Sequence, residues 1–464
     1  MLHSNEKTTL FSFVIDFWRM QYLFFLIRHA YASMFSLSSM NALASTTGEL
    51  GAPAAAPTRR CTKSNKRARA AADGYWRLVA AGEPFRLLFP LGALICVAGV
   101  MMWPLYIWHV TSTYPGQCHA RVMIEGFVTS FVIGFLGTAL PRLLEVPRVT
   151  IYEALGFGTA VLGIAGLHMS GQTARGDQLF FTTMATLVGL LAVRGFLFRR
   201  DIPPPGFILV VLGMLSALFG SGIQVVAAAA PSVLPVWMLS LARLLLYQGY
   251  LVFPIMGIGA FLLPRFFGLP NRQSFPESLA LPPGWLSRAG FALLCGGTVM
   301  AGFVTEAFGH AHVGNGLRAL GIFVYFFREV PVHQAGFGGG SLALGLRMAL
   351  LSMPVAYVLM AIWPDRSFSL LHLLFISGFS LLTFIVASRV VLGHSGQSDK
   401  FRATLWSVVI LTALITLAML TRVSADWMPA IRLSHYAYAA VAWAAGVLVW
   451  MIFILPGVRR KDEE

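Results

Sequence analysis

The sequence predicts an all-α fold: a polytopic transmembrane helical bundle of about twelve spans with both termini in the cytoplasm. Three observations carry this. Hydrophobic residues make up 57% of the 464 residues and charged residues 11%, against about 45–50% and about 25% in soluble proteins. The apolar residues come in stretches of about 20 separated by short turns, the length that crosses a hydrocarbon core about 30 Å thick as a helix. Lysine and arginine alternate in density from one connecting loop to the next, as loops do on opposite sides of a bilayer.

Taken in order, the first 83 residues stand apart. Residues 10–27 are apolar but hold Asp16 and Arg19, and residues 41–72 are an aperiodic mixture rich in Ala, Ser, Thr and Arg, a composition that reads as disordered and basic. No small-residue cleavage site follows a clean apolar core of the signal-peptide kind. Residues 1–83 are therefore expected to be a partly disordered, basic N-terminal extension, either an anchor or targeting segment or an over-long start with the true one nearer Met34 or Met40. Residues 84–464 form the membrane domain. Spans are expected at roughly 87–110, 122–140, 150–170, 178–198, 206–230, 236–263, 286–305, 314–330, 343–363, 368–392, 402–421 and 432–456, the eighth being the shortest.

The basic residues test this count. If residue 87 enters from the cytoplasm, the inside segments hold 24 Lys and Arg and the outside segments six, namely Arg121, Arg175, Arg318, Arg366, Arg422 and Arg432. The net charge of +15 therefore reads as a topology signal and not as a nucleic-acid footprint. The cysteines Cys61, Cys96, Cys118 and Cys295 share no CxxC spacing, so neither a disulfide framework nor a cysteine zinc site is suggested.

A weak internal repeat is visible. Residues 126–147 align without gaps on 249–270, with Gly126/Gly249, Gly134/Gly257, Leu140/Leu263, Pro141/Pro264, Arg142/Arg265 and Pro147/Pro270 coinciding. Both segments run from outside to inside, four helices apart, as a parallel repeat requires. Shared membrane composition with a Pro-Arg helix exit explains the match equally well. A true repeat makes span ten its third copy.

The topology sorts the histidines. Of the nine beyond residue 83, His109, His119, His168, His310, His312, His372 and His435 fall at the outer ends of their helices, and only His333 and His394 fall on the cytoplasmic side. Imidazole prefers the interface in any case, so each single histidine is more often structural. As a layer, beside Cys118, Met101, Met102, Met123 and Met169, they suit copper or haem iron. For a six-coordinate haem of the b type the preferred pair is His119 with His372, with His435 and His109 in reserve. The metal candidates are His119, His372, Cys118, and His310 with His312, which chelate one ion only if their segment is extended. Glu125 is expected to share a helix side with His119 and Arg121. Arg243 has no sequence-local acid: it either meets a haem propionate or snorkels to the outer surface. Glu153 reads as a solvated charge at a helix start.

The segments EPFRLLFPLGAL at 83–94, CHARVMIEGFVTSFVIGFLGTALPRLLEVP at 118–147 and HLLFISGFSLLTFIVASRVVLGHSG at 372–396 resemble the NnrS family of bacterial membrane proteins. The resemblance covers everything after residue 83. It implies a multi-pass protein of the bacterial cytoplasmic membrane that carries haem and copper and responds to nitric oxide or related nitrosative stress. The family's marked histidines match His119, His372 and His394. The last two lie 22 residues apart on one helix, about 33 Å at 1.5 Å per residue, and cannot share a metal. Two departures matter: Arg121 stands where many members have a second histidine, and Pro141-Arg142 where many have Asn-Trp. Turnover of nitric oxide, metal delivery and buffering of a nitrosylated metal are all compatible with such a site. The alternative is a secondary transporter or permease, suggested by twelve spans, the repeat and the intramembrane charges. A proton-pumping terminal oxidase needs adjacent copper-binding histidines, and no His-His pair occurs.

Overall fold

The computed structural model describes residues 74–336 and 338–461. The chain divides into two units, residues 1–67 and 68–464, and all described residues belong to the second. The N-terminal extension expected over residues 1–83 thus lies outside the described residues up to 73. Residues 74–80 are a short helix whose Val79 packs with Val149 and Ala154, and the Tyr75 hydroxyl donates to the Arg86 carbonyl at 3.0 Å.

The described residues are helical, with no strand among them. Eleven helices are long and apolar enough to cross a membrane: α1 (Phe85–Ile107), α2 (Gly116–Leu143), α3 (Ile151–Met169), α4 (Thr173–Leu197), α5 (Phe207–Ala229), α6 (Val236–Phe267), α7 (Trp285–Ala307), α9 (Gly340–Ile362), α10 (Pro364–Gly393), α11 (Trp406–Trp427) and α12 (Pro429–Arg459). Between α7 and α9 lies α8 (Ala311–Glu329), as long as α3 at 19 residues. It is less apolar because it carries Asn315, Arg318 and Glu329, all buried inside the protein.

Consecutive helices pack side by side, and α12 returns to pack on α1, so the chain closes on itself. The helices fall into three sets of four. In each set the second helix, α2, α6 or α10, is broken by a π-helical segment: Val122–Val128, Leu245–Gly249 and Leu373–Ser380. Carried four residues back from the aligned stretch, the same offset sets Val122 against Leu245, so the first two π segments start at matching positions. The aligned glycines also do the same work. A Cβ on Gly126 would lie 2.9 Å from Ile95 of α1, and one on Gly249 3.2 Å from Ser216 of α5. Gly134 likewise meets Phe85 and Gly257 meets the Gly206 carbonyl. The repeat is therefore built into the packing, with small residues letting each second helix cross the first helix of its set closely. The π segment in α10 supports a third copy that the sequence alone shows only poorly.

The second helices meet around an apolar cavity of about 110 Å³ lined by residues such as Phe131, Tyr250, Pro254 and Phe379. Beside it, Phe127, Phe131, Phe384, Trp443 and Trp450 form a linked set of ring contacts. The Trp450 indole donates to Ser388 Oγ at 2.8 Å, satisfying its one polar group.

At the other end of the bundle from the α1–α2 turn, Arg86 ties three helix ends together. Its guanidinium donates to Glu83, to the carbonyls of Val458 and Arg460, and to the His394 carbonyl, at 2.5 to 2.9 Å. Glu83 also accepts from Arg142 at 2.5 Å and pairs with His394 Nδ1 at 3.0 Å. Burial alone would push the Glu83 carboxyl up, but the hydrogen bonds from His394 and Arg86 outweigh it and hold it at about 2.

Two outcomes follow from this packing. Gly257→Ala puts a methyl 2.5 Å from a backbone carbonyl, whereas Gly134→Ala puts one 3.1 Å from its nearest neighbour. The first should lower the melting temperature in detergent more than the second, with overpacking costs of about 1–3 kcal/mol. Because the folded Glu83 carboxyl titrates below its unfolded value of 4.5, its contribution is complete above about pH 4.5 and disappears as pH falls toward 2. Thermal unfolding of Glu83→Gln against the parent should therefore show the largest deficit at neutral pH and a shrinking one below pH 4.5.

Candidate functional site

His119 lies on the first α-helical turns of α2, just ahead of its π segment, and His372 is the last α-helical residue before the π segment of α10. π insertions inside α-helices occur frequently at functional sites because they re-aim side chains at a local cost in regularity. His119 Nδ1 is 3.0 Å from the Gly99 carbonyl of α1, and His372 Nδ1 is 3.0 Å from the Phe368 carbonyl one turn earlier. Each contact fixes the tautomer, with the proton on Nδ1 and the lone pair on Nε2. Among the described residues neither Nε2 has a hydrogen-bond partner.

The two imidazoles lie within electrostatic reach of each other and of Arg422. Arg422, on α11, is buried and held by Asp426 at 3.4 Å, and its guanidinium stacks 4.0 Å from the Tyr436 ring centre. Tyr436 donates to Asp426 at 2.5 Å. Trp103 stands nearly perpendicular to both His119, at 6.2 Å between ring centres, and Tyr436, at 5.5 Å. Phe368 sits 5.6 Å from His372 and 5.5 Å from Arg422. The site thus joins α1, α2, α10, α11 and α12: two neutral nitrogen donors, aromatic walls and one anchored cation.

A second polar cluster lies between α2, α3 and α4. His168 Nε2 is 2.9 Å from Glu125 Oε2 and 4.0 Å from Asp177 Oδ1. Arg121 forks onto Asp177 with bonds of 2.8 and 3.2 Å. Glu125 meets His168 across the helices and not the His119 of its own helix, because the switch to i→i+5 bonding from Val122 turns it away from the ladder expected of a continuous α-helix. Tyr247 of α6 lies within electrostatic reach of Glu125, Arg121 and Asp177.

The remaining predicted residues are placed elsewhere. Cys118 is buried and its thiol donates to the His168 carbonyl at 3.1 Å. His394 belongs to the Glu83 cluster, with Arg142 3.1 Å from its Nε2, so both of its ring nitrogens are engaged. His310 occupies the N-cap position of α8 without a capping side-chain bond, and His312 lies in the first turn, Nδ1 2.7 Å from the Ala361 carbonyl; the extended segment that a shared ion requires is not formed, since the helix begins at Ala311. His109 is exposed with a left-handed φ of 57°. His435 is half-buried, its Nδ1 3.1 Å from the Ile431 carbonyl. Arg243 is exposed, the snorkelling arrangement. Glu153 sits at the start of α3 in a capping box with Thr150, as its position suggests. It is not merely solvated, since the buried Arg194 of α4 binds both its oxygens at 2.7 Å. Asp177, Asp426 and Tyr436 went unread in the sequence, where each resembles an ordinary residue at a helix end.

A family model described as NnrS protein matches residues 80–461. No curated protein matches the chain.

The Arg121–Asp177 fork has a measurable consequence. Arg121→Met leaves Asp177, whose side chain is 5% exposed, without its counter-charge beside a second carboxylate. Breaking a buried pair costs about 3–5 kcal/mol; the partial exposure of Arg121 places this one near the lower figure. Arg121→Met/Asp177→Asn should recover most of the loss in thermal unfolding, and a double variant as unstable as the single one would show that the pairing is not the cause.

Proposed function

Since the chain belongs to the NnrS family, we propose that it is a haem-binding integral membrane protein of the nitrosative-stress response, with the iron held by Nε2 of His119 and Nε2 of His372. The observation that carries this reading is the matched state of the two imidazoles. Each has Nδ1 tied to a backbone carbonyl, each sits at an α-to-π junction, and they belong to two helices that approach one another at the same end of the bundle. Two histidine nitrogens from different helices could hold a haem iron between them. The second-shell carbonyls hold the rings in orientation and raise their basicity.

The rest of the site fits the same group. Arg422 offers a fixed cation to a propionate carboxylate, and a charge-assisted pair there is roughly twice as strong as a neutral hydrogen bond. Trp103 and Phe368 lie beside the imidazoles as aromatic neighbours. The chain has no CxxCH attachment motif, which favours a non-covalent, b-type haem. When bound, haem supplies one-electron redox chemistry. The nitric-oxide role and the bacterial inner-membrane location rest on the family. The residues suggested for copper do not converge: Cys118, His312 and His394 are each engaged elsewhere, and no step is assigned to copper.

Reduced and oxidised absorption spectra of the purified protein test the proposal. A haem spectrum with a low-spin, six-coordinate signature is expected. His119→Ala and His372→Ala should each convert it to a five-coordinate form or lower haem content at least about fivefold, while Arg422→Met should retain the axial pair and shift the reduction potential. A colourless protein from haem-replete cells, or spectra unchanged in both histidine variants, would reject it.

A further inference from the structure

We propose that Glu125, His168 and Asp177 form a second site, for a divalent first-row transition-metal ion, built between α2, α3 and α4 and independent of the haem reading. Their donor atoms all lie within 4.8 Å of one another. A tetrahedral metal with nitrogen and oxygen ligands at about 2.0–2.2 Å holds its donors about 3.3–3.6 Å apart, so the widest pair in the cluster closes by about 1 Å on binding.

A further observation points to a ligand. Glu125 is fully buried, yet its Oε1 has no hydrogen-bond partner among the described residues. Buried polar atoms are paired in nearly all proteins, and each exception calls for an explanation such as an ion. Asp177 is answered by Arg121, and the one hydrogen-bond partner of the Glu125 carboxylate among the described residues is His168 Nε2 at 2.9 Å, so Glu125, with one oxygen free, can bind a dication through both.

The surroundings are shaped for this. The His168 ring lies directly over Gly176, where a Cβ would come within 2.4 Å of it, so glycine is what leaves room for the imidazole. Arg121 grips both oxygens of Asp177, orienting the carboxylate as outer-shell partners of metal ligands do. One imidazole and two carboxylates, with no thiolate, select Zn²⁺, Mn²⁺ or Fe²⁺ over copper(I); the nearby Cys118 thiol is committed to the His168 carbonyl. Entry from water is short, because His168 and Asp177 flank the α3–α4 turn and the Arg121 side chain is 21% exposed.

Zn²⁺ is the probe. Chelator-treated full-length protein in detergent is titrated calorimetrically, in parallel with Glu125→Gln and Asp177→Asn, both nearly isosteric, and with Gly176→Ala, which displaces the imidazole without altering charge. The parent should bind one Zn²⁺ per chain more than Glu125→Gln. The extra site should weaken at least tenfold in Asp177→Asn and in Gly176→Ala, and Zn²⁺ should raise the melting temperature of the parent alone. Exposed histidines such as His109 bind zinc equally in every variant and cancel in the comparison. Size-exclusion profiles certify folding, and the haem spectrum of the same samples reports the His119–His372 pair separately. Equal stoichiometry in the parent and Glu125→Gln, adventitious surface zinc only, would overturn the proposal and leave a proton as the neutraliser of Glu125.

Discussion

A bundle of long apolar helices has no water inside it, so every buried charge must find its partner within the protein. That constraint shapes both ends of this molecule. Arg86 with Glu83, Arg194 with Glu153, Arg288 with Glu329, Arg121 with Asp177, Arg318 with Glu306 and Arg422 with Asp426 are all ion pairs that include at least one nearly buried side chain. Several do more than cancel charge. Arg86 fastens the start of α1 to the ends of α10 and α12. Arg318 is sandwiched between the rings of Phe303 and Tyr357 and also donates to Gln248, which explains why α8 can carry an arginine through the bundle.

The second helix of each set shows how one device produces different chemistry. A π turn adds one residue to the hydrogen-bonded ring, so side chains before it and after it face directions that an uninterrupted α-helix would not combine. In α2 and α10 the residue delivered near the junction is a histidine. In α6 the neighbouring positions are Ala242 and Leu244, and the polar residue inside the segment, Gln248, is spent on Arg318 and Tyr357. Imidazoles are thus available from two of the three sets only, and a pair forms where those two meet.

Most of the fold was legible in the sequence because hydropathy and length are local properties. The expected spans match the observed helices to within a few residues, with α2 starting earlier, at Gly116, so that His119 lies inside the helix. The glycine and Pro-Arg coincidences between 126–147 and 249–270 correctly flagged a repeat. What the sequence did not show is non-local. Arg121 and Asp177 are 56 positions apart and Glu83 and His394 are 311 apart, so residues counted as topology marks prove to be halves of ion pairs. Nor do the π segments announce themselves, since Val122–Val128 and Leu373–Ser380 contain no proline, and the single glycine in each is of a kind found throughout these helices. Without them Glu125 falls on the wrong face, and its meeting with His168 is invisible.

The two imidazole-bearing clusters, only a few residues apart on α2, differ in what surrounds the rings, and that difference decides what each can hold. His119 and His372 have backbone carbonyls on Nδ1 and the Asp426-paired Arg422 nearby, so the pair presents two Nε2 lone pairs. His168 has Glu125 and Asp177 on its Nε2 side and, among the described residues, no partner on Nδ1, so its cluster gathers oxygen donors around one imidazole. Both arginines beside these rings are paired, Arg422 with Asp426 and Arg121 with Asp177, so what separates the clusters is the carboxylate bonded to His168, where His119 and His372 meet backbone carbonyls.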